Sequence, residues 1–345
     1  MMVLLLTGQN FYQRRNIMDK IINWGILGCG NIANKFATDL QTVSGSVLRA
    51  VAAQDLDRAQ NFAKKHTVER AYSNYTTLVN NPDLDVIYVA TTHNFHYEHA
   101  ALCLAANKAV LCEKPICVNA QEARKLVELS REKDIFLMEA MWTRFLPAVI
   151  RLKKDLDSGI IGTPQLVQAD FGITKPQEAG SRFYENKLAA GALLDLGIYT
   201  INFANIVFGS HPERISGYAQ FTNQGVDQLS TYNLLYSEGR QALLSAAVAL
   251  PTPHQARIYG DKGRIVIDDF YHPQQYQIIL NGKKPQQVDE IFDGFGYLYE
   301  AREVQQCLLG GKTESMICSL DETVAIMQVM DDLRKQWGLR YPNEN

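Results

Sequence analysis

A lysine in this sequence lies where acid–base chemistry would need one. Lys114 follows the apolar run Ala109–Cys112, which predicts a buried strand, and Glu113 and Pro115 flank it. The carboxyl end of a parallel strand is where open α/β sheets bind ligands. There a lysine ammonium could polarise a substrate oxygen and lower the pKa of a nearby acid. A solvated loop lysine is the alternative.

A second candidate pair, Asp195 and Tyr199, lies four residues apart in the predicted helix 191–208. Side chains at this spacing share one helix face, so one could orient a reacting group while the other exchanges its proton. Tyr199 could equally be an ordinary half-buried aromatic residue of an amphipathic helix. The spacing alone leaves both interpretations open.

The glycine-rich turn G-x-G-x-x-A runs from Gly28 to Ala33, between a predicted strand and a predicted helix. Gly28 permits a tight turn, Gly30 lets the backbone approach a pyrophosphate, and Ala33 keeps the helix close to the sheet. Free N–H groups at the helix start, which includes Asn31 and Ile32, would receive the anion. This context predicts dinucleotide binding, and a glycine turn in an unrelated α/β protein is the alternative.

The residues after the second predicted strand bear on the choice of coenzyme. There an acidic residue would accept a hydrogen bond from an NAD ribose, and an arginine would hold the 2′-phosphate of NADP. Asp55 suits NAD, Arg58 suits NADP, and neutral Gln54 suits either. Asp57 and Arg58 could instead merely begin a solvated helix.

Residues at the ends of other strands complete the expected coenzyme site. We expect Thr91, His96 and Glu113 to lie beside the dinucleotide, with His96 near the nicotinamide. The three-residue spacing of His93, His96 and His99 is weak evidence for a metal, because such histidines need not converge and no carboxylate–histidine ligand set accompanies them. We therefore predict no metal site.

The first half of the chain alternates short apolar runs with amphipathic stretches, which predicts βαβ units around a doubly wound parallel sheet. The predicted N-caps include Asp57 and Asn119. Strands are predicted at Ile21–Leu27, Val47–Ala53, Val86–Ala90, Ala109–Cys112 and Ile135–Met141, and helices at Asn31–Leu40, Asp57–Lys65, Tyr97–Ala106 and Asn119–Glu132.

Beyond Pro147, a helix to about Ser158 is followed by strand-like runs without helices between most of them, which predicts antiparallel pairing. Helices are predicted at Gly191–Phe208 and Asp321–Gln336. The strand-like runs are Gln165–Ile173, Arg214–Thr222, Ser230–Tyr236, Gln241–Leu250, Gln255–Tyr259, Arg264–Ile267 and Tyr276–Leu280. We predict an α/β fold: a Rossmann domain (21–141), then an α+β substrate and dimerisation domain (142–345) with a large, mostly antiparallel, open-faced sheet that forms a homodimer.

Length and composition restrict the classes of function. The chain has 345 residues and a formal net charge of −3, which gives no cationic excess for nucleic acid or an anionic membrane surface. Its six cysteines are scattered and no apolar run approaches the length of a membrane span, so we expect a cytoplasmic protein. We predict that residues 1–20 are disordered or upstream of the true start, because Met18 just precedes the first strand.

The motifs GILGCGNIA, CEKP, FLMEAMWTRF, GALLDLGIY and GDKG together resemble the glucose–fructose oxidoreductase, inositol dehydrogenase and MocA-like (Gfo/Idh/MocA) family from Ile21 onward. Within it, the chain is most similar to the branch of dimeric trans-dihydrodiol dehydrogenases, also described as NADP-dependent D-xylose 1-dehydrogenases. Most members of the family carry histidine where this chain has Tyr199. Gln54 replaces an arginine of the NADP-dependent relatives, although Arg58 matches a second one, and Ala190 replaces a glycine.

The resemblance implies that Lys114 and Tyr199 form a catalytic pair, that Asp195 positions it, and that Trp142, Arg144 and Phe145 line the substrate pocket. It also implies hydride transfer between NADP, or NAD, and a secondary alcohol of a polyol, sugar or trans-dihydrodiol. A non-catalytic dinucleotide-sensing regulator and an NAD-assisted glycosidase are alternatives on the same scaffold.

Overall fold

A computed structural model of the chain describes residues 20–177, 180–209, 211–342 and 344. Its first part is a six-stranded parallel sheet in the order β3-β2-β1-β4-β5-β6. The strands are β1 (Ile22–Leu27), β2 (Ser46–Ala52), β3 (Arg70–Tyr72), β4 (Val86–Val89), β5 (Ala109–Glu113) and β6 (Leu137–Ala140). The intervening helices are α1 (Asn31–Leu40), α2 (Leu56–His66), α3 (Tyr75–Val79), α4 (His96–Ala105) and α5 (Ala120–Lys133). The predicted doubly wound domain is confirmed.

The strand order places the chemistry at one edge of this sheet. β4 and β5 are buried at every residue, as strands covered by helices on both faces must be. The order reverses between β1 and β4, so the loops that follow these strands diverge and leave a crevice at the carboxyl edge. The glycine turn follows β1, Thr91 follows β4 and Lys114 follows β5, which brings all three to that edge.

Helix α1 has the predicted bounds, and Asn119 caps α5 through its side chain as predicted. The predicted cap of α2 was wrong by two residues: Asp55, not Asp57, accepts from the N–H of Arg58. The sequence also missed β3 and α3, which have three and five residues and are too short to show a period.

The second part of the chain contains an eight-stranded sheet in the order β14-β13-β12-β11-β7-β10-β9-β8. Its pairs are antiparallel except that β7 and β10 run parallel, so the predicted, mostly antiparallel sheet is confirmed. A parallel pair needs a long crossover, and here the chain between them includes a helix and two further strands. The strands are β7 (Pro164–Gly172), β8 (Arg214–Phe221), β9 (Asp227–Leu235), β10 (Gln241–Ala247), β11 (Ala256–Gly260), β12 (Gly263–Ile267), β13 (Gln275–Leu280) and β14 (Gln286–Asp289).

Two helices contact one face of this sheet directly, α7 (Ile198–Phe208) and α9 (Leu320–Trp337). The other helices of this part of the chain are α6 (Pro147–Asp157) and α8 (Leu298–Leu309). Strand β14 and helix α8 were not predicted from the sequence. Along β10, Ala242 and Leu244 are buried under the helices, whereas Gln241 and Leu243 are exposed on the other face. The predicted open-faced sheet is confirmed.

The end of the chain returns to the first sheet. The backbone N–H groups of Phe295 and Tyr297, just before α8, donate to the Asp39 carboxylate of α1 at 2.9 and 2.8 Å. Helix α9 packs against α5. Residues beyond 290 therefore contribute to the packing of both sheets.

Four further features of the structure relate to expectations from the sequence. One helical stretch, Asn186–Phe208, is long and apolar enough to span a membrane, but 83% of its most apolar window is buried, as in the core helix of a folded domain. All six cysteines are free and buried. Within the described residues, no group of three or more histidine, cysteine, aspartate or glutamate side chains could hold a metal ion. The predicted N-terminal extension lies outside the described residues except for Lys20.

Candidate active site

The turn after β1 has the backbone geometry that a dinucleotide needs. Gly28 has φ +102°, and a Cβ there would lie 2.8 Å from the carbonyl oxygen of Ala90, so only glycine fits. Gly30 begins α1 with no side-chain cap, and the first turn of the helix contains no acidic residue. The helix N–H groups are therefore available to an anion, and the positive end of the helix dipole favours one.

The other residues of the motif support the same site. Ala33 is completely buried against the sheet, while Asn31 is exposed and Ile32 half-buried at the helix start. The residues present thus fit the pyrophosphate of NAD or NADP: a glycine at the tight turn, an uncapped helix start and a small residue at the helix–sheet contact.

Arg58 extends from α2 over the glycine turn. Its Nε donates to the carbonyl oxygen of Cys29 at 3.0 Å, and its Nη2 lies 3.8 Å from where a Cβ on Gly30 would be. The Asp55 carboxylate caps α2, and Gln54 is exposed beside it. The arrangement places a cation where a ribose 2′-phosphate would need one.

The three histidines after β4 take separate partners. His96 lies between the carbonyl oxygens of Thr91 and Pro115 at 3.0 and 2.7 Å, His93 contacts the carbonyl of Ala189, and His99 contacts the Thr91 hydroxyl. Burial lowers the pKa of His96 to about 4, and a neutral ring donates to only one of the two carbonyl oxygens. His96 therefore ties the loop after β4 to the Lys114–Pro115 turn.

Lys114 contacts the helix that carries the other two candidates. Its Nζ donates to the backbone carbonyl of Asp195 at 2.7 Å and lies 4.7 Å from the centre of the Tyr199 ring. Burial lowers the pKa of Lys114, and the carboxylates of Asp195 and Glu113 oppose that shift. The lysine thus approaches the face of the Tyr199 ring.

The Glu113 carboxylate forms hydrogen bonds inside the protein. Its carboxylate accepts from the Tyr88 hydroxyl and from the N–H of Lys114, and only 7% of the residue is exposed. Burial raises the pKa of Glu113, while the Tyr88 hydrogen bond and Lys114 lower it. These contacts fix the turn that carries Lys114, and the contact of Glu113 with the coenzyme stays a prediction.

A π-helical turn, Leu193–Gly197, precedes α7. The wider turn displaces the residues that follow, so side chains four apart no longer share one face. The Asp195 carboxylate pairs with Arg182 at 3.3 Å, and its carbonyl accepts from Lys114. Instead of the predicted shared face, Lys114 connects the two residues through the Asp195 backbone and the Tyr199 ring.

The Tyr199 hydroxyl accepts a hydrogen bond from the indole Nε1 of Trp142 at 3.1 Å. Among the described residues it has no acceptor for its own proton, which leaves that proton available to a substrate oxygen. Burial raises the pKa of Tyr199, as does the Glu113 carboxylate, while the Trp142 hydrogen bond lowers it. Tyr199 is therefore a neutral phenol near pH 7.

The comparisons with known proteins agree with this architecture. The model of the GFO/IDH/MocA oxidoreductase family with an NAD-binding Rossmann fold matches residues 22–141, and that of the GFO/IDH/MocA C-terminal domain matches residues 149–266. The chain belongs to the GFO/IDH/MocA family. It is an NAD(P)-dependent oxidoreductase, and the prediction of a dehydrogenase of this family is confirmed.

Curated relatives match nearly the whole chain. The trans-1,2-dihydrobenzene-1,2-diol dehydrogenase of Xenopus tropicalis is 38% identical over 333 residues, which are 92% of this chain and 99% of the relative. The enzyme of the same name from Homo sapiens is 37% identical over 332 residues, covering 94% and 99%. The resemblance to that branch of the family is thereby confirmed.

Solved structures share the fold. A 3-ketoreductase from Actinomadura kijaniata in complex with NADP and TDP-benzene has a TM-score of 0.84 and 24% identity, over 92% of this chain and 98% of that one. An aldose-aldose oxidoreductase from Caulobacter crescentus complexed with glycerol has a TM-score of 0.84 and 22% identity, over 92% and 97%.

Of the three predicted pocket residues, only Trp142 contacts the Tyr199 hydroxyl. Phe145 is 5% exposed and belongs to the hydrophobic core. The Arg144 guanidinium does not line the pocket as predicted, because it is 5% exposed and all its hydrogen bonds go to Asn202, Asn205, Ile317 and Glu322. The resemblance implied a pocket role for Arg144 and Phe145, whereas this fold buries both side chains in its interior.

Aromatic residues that were not predicted from the sequence surround Tyr199. The ring of Phe171 lies 5.4 Å from that of Tyr199 and stacks on Tyr271 at 4.3 Å, and Tyr297 stacks on Trp142 at 4.8 Å. These residues come from β7, the loop after β12 and the loop before α8. Because they are more than 100 residues apart in places, no local spacing could have grouped them.

Proposed function

We propose that the protein interconverts a secondary alcohol and a carbonyl in a ring-shaped polyol, a sugar or a trans-dihydrodiol, with NADP as the preferred coenzyme. The observation that carries the proposal is the approach of Lys114 to Tyr199 at the carboxyl edge of the Rossmann sheet, 4.7 Å from nitrogen to ring centre. The glycine turn after β1 lies at the same edge. The turn that would bind the coenzyme is therefore next to Lys114 and Tyr199, which would transfer the proton.

The glycine turn and α1 would hold the pyrophosphate through backbone N–H groups, and Arg58 would pair with the 2′-phosphate of NADP. When bound, the nicotinamide supplies or accepts the hydride of the reaction. On the β4 side, Thr91 would lie beside the coenzyme, and His96 and His99 both contact Thr91. The NADP in the complex of the 3-ketoreductase is consistent with this preference.

Tyr199 is the proposed general acid and base. For reduction, its neutral hydroxyl donates a proton to the carbonyl oxygen while Lys114 stabilises the negative charge that develops there. For oxidation, the phenolate of Tyr199 takes the proton from the substrate hydroxyl. Because burial raises the pKa of Tyr199, oxidation is favoured at alkaline pH, whereas reduction proceeds at neutral pH.

The surroundings of Tyr199 support a ring substrate with adjacent hydroxyls. Phe171 and Tyr271 offer aromatic faces against which an apolar ring face can pack. Asp195 Oδ2 is buried and has no hydrogen-bond partner among the described residues, so it can accept from a second hydroxyl. The names of the relatives, trans-1,2-dihydrobenzene-1,2-diol dehydrogenases, agree with a vicinal diol.

We further propose that the protein is a cytoplasmic homodimer joined through the open face of its eight-stranded sheet. Tyr218 is 84% exposed and Leu243 42% exposed on that face, which no helix of the described chain covers. Free, buried cysteines suit a reducing compartment.

The test is a screen of aldoses, inositols and trans-dihydrodiols with NADP and NAD, at pH 7 for reduction and pH 9 for oxidation, followed by absorbance of the reduced coenzyme. We expect turnover of a vicinal diol with a lower KM for NADP. Absence of coenzyme turnover with every compound would refute the proposal. Hydrolysis of a glycoside without net change in coenzyme would indicate a glycosidase, and tight coenzyme binding without any reaction would indicate a regulator.

A further inference from the structure

We infer that Arg144 is a positioning residue for Tyr199, an inference that rests on the proposed acid–base role of that tyrosine. The guanidinium holds α7 at the rotation and depth that place the Tyr199 hydroxyl beside Trp142. Arg144 is too deeply buried to touch a substrate, since only 5% of it is exposed. It acts through the helix.

Arg144 joins two parts of the molecule. Its Nε donates to Asn202 Oδ1 at 2.7 Å, and its Nη2 donates to Asn205 Oδ1. Its Nη1 donates to the carbonyl of Ile317 at 2.8 Å and to the Glu322 carboxylate at 3.0 Å. The arginine thus fixes α7 to the start of α9 and to the segment after β6.

The two asparagines are unusual in their helix. Helix α7 is otherwise largely apolar and packs against the second sheet and neighbouring helices. Asn202 and Asn205 are buried, and the Nδ2 of each has no partner among the described residues. Burying a donor without a partner costs free energy that an apolar side chain would avoid. In return, the Oδ1 atoms of both asparagines accept directional hydrogen bonds from Arg144.

The segment that carries Arg144 contacts the site with three successive side chains. Trp142 donates to the Tyr199 hydroxyl at 3.1 Å, and Thr143 donates to the carbonyl of Tyr271 at 2.5 Å. Arg144 then binds α7 three and six residues beyond Tyr199. One short 3-10 turn, Trp142–Phe145, therefore sets the indole, the aromatic wall and the helix relative to one another.

A small rotation of α7 would matter for the chemistry. The phenol hydroxyl lies far outside the Cα radius of about 2.3 Å, so a rotation of about 10° moves it by more than about 1 Å. A misplacement of about 1 Å can cost about 10²-fold in rate. The hydrogen bonds of Arg144 to Asn202 and Asn205 oppose such a rotation.

Two variants separate positioning from packing. Arg144→Met should lower kcat about 10- to 100-fold while the Kd of NADPH stays unchanged. The triple variant Arg144→Met, Asn202→Leu, Asn205→Leu replaces all three polar groups by apolar ones and should recover the Tm. Its kcat should remain low, because packing is restored without the directional contact. Recovery of kcat together with the Tm would overturn the inference.

A spectroscopic measurement tests the inference without turnover. The chain has three tryptophans, so its indole ¹⁵N–¹H spectrum has three signals, from Trp24, Trp142 and Trp337. Tyr199→Phe identifies the Trp142 signal by removing its acceptor. Arg144→Met should shift that signal and leave the Trp24 signal in place. An unmoved Trp142 signal in Arg144→Met would overturn the inference.

The matched control is Arg334→Met. Arg334 is another buried arginine, 4% exposed, which binds Glu344, Asp331 and the carbonyl of Val118 but nothing on α7. It should lower the Tm and leave kcat and the Trp142 signal unchanged. If Arg144→Met does not fold, Asn202→Leu decides by the same two readouts, since Arg144 keeps its other bonds. An inactive wild type would refute the proposed function, while the Trp142 signal would still decide the inference.

Discussion

At the scale of residues, the proposed chemistry depends on a tyrosine that is kept neutral and a lysine that is kept close. Tyr199 accepts from Trp142 and retains its proton, while Lys114 is anchored by the Asp195 carbonyl over the tyrosine ring. The anchor uses a backbone carbonyl, so it survives any substitution of the Asp195 side chain. The position of Lys114 is consequently set by the π turn.

Tyr199→Phe tests the proton transfer directly. It removes the hydroxyl and keeps the ring, so NADPH binding should remain while kcat falls about 10²- to 10⁴-fold, the usual contribution of general acid–base catalysis. Steady-state kinetics and a fluorescence titration with NADPH measure the two effects. Tyr218→Phe, on the exposed face of the second sheet, is the control. Near-normal turnover of Tyr199→Phe would assign the proton to another group.

Arg58→Ala tests the 2′-phosphate contact. A hydrogen bond to a charged group contributes about 1.5–3 kcal/mol, so the KM for NADP should rise about 10- to 100-fold while that for NAD stays nearly constant. Lys64→Ala, exposed on the same helix, should leave both values unchanged. An equal loss with both coenzymes would show that Arg58 acts on the fold of the turn instead of the phosphate.

At the scale of elements, the hydrophobic periodicity of the sequence was sufficient to predict the strands and helices of the Rossmann domain. It was not sufficient to predict the irregular turns. The strand, turn and helix around Gly28 were predictable because each has a local signal. The π turn before Tyr199 was not, since it depends on contacts with Asp227 of β9, whose carboxylate accepts from the N–H of Leu193. The use of Arg144 within the core was hidden for the same reason.

Glu139 of β6 links several elements and makes a pH-dependent contribution to stability. Its carboxylate accepts from the N–H of Ile116, next to the Lys114 turn, at 2.9 Å and from the Thr323 hydroxyl of α9 at 3.2 Å. Burial raises its pKa from 4.5 to about 7. Between these values the folded protein holds a proton that the unfolded chain has released, so this group lowers the free energy of unfolding as pH rises.

Glu139→Gln should remove that dependence. Glutamine keeps an oxygen for Ile116 and has no proton to lose, so the stability of the variant relative to wild type should rise between pH 5 and pH 8 by about 2.5 kcal/mol. Urea unfolding at several pH values measures the difference. Glu132→Gln, exposed on α5, provides the control. Parallel curves for Glu139→Gln and wild type would contradict the expectation.

At the scale of the whole molecule, the two sheets belong to successive parts of the chain, and the end of the chain packs against both. Asp39 of α1 binds the backbone before α8, and α9 packs against α5. The sequence predicted two domains in order along the chain, but not that residues beyond 290 return to the first. Such contacts leave no periodic signal, because a few hydrogen bonds to backbone N–H groups make them.

The open face of the eight-stranded sheet should form a homodimer. Side chains alternate between the two faces along each strand, which identifies the residues that the dimer would bury. Leu243 lies on that face, between Gln168 of β7 and Asn233 of β9. In a two-fold interface a charge placed there meets its own copy or an apolar partner, and either contact is unfavourable.

Wild type should therefore have about twice the monomer mass of 38.8 kDa by light scattering at micromolar concentration, and Leu243→Glu should have the monomer mass. Met316→Glu, 78% exposed outside the sheet, should remain dimeric. A monomeric wild type would exclude this interface, and a dimeric Leu243→Glu would move it to another surface.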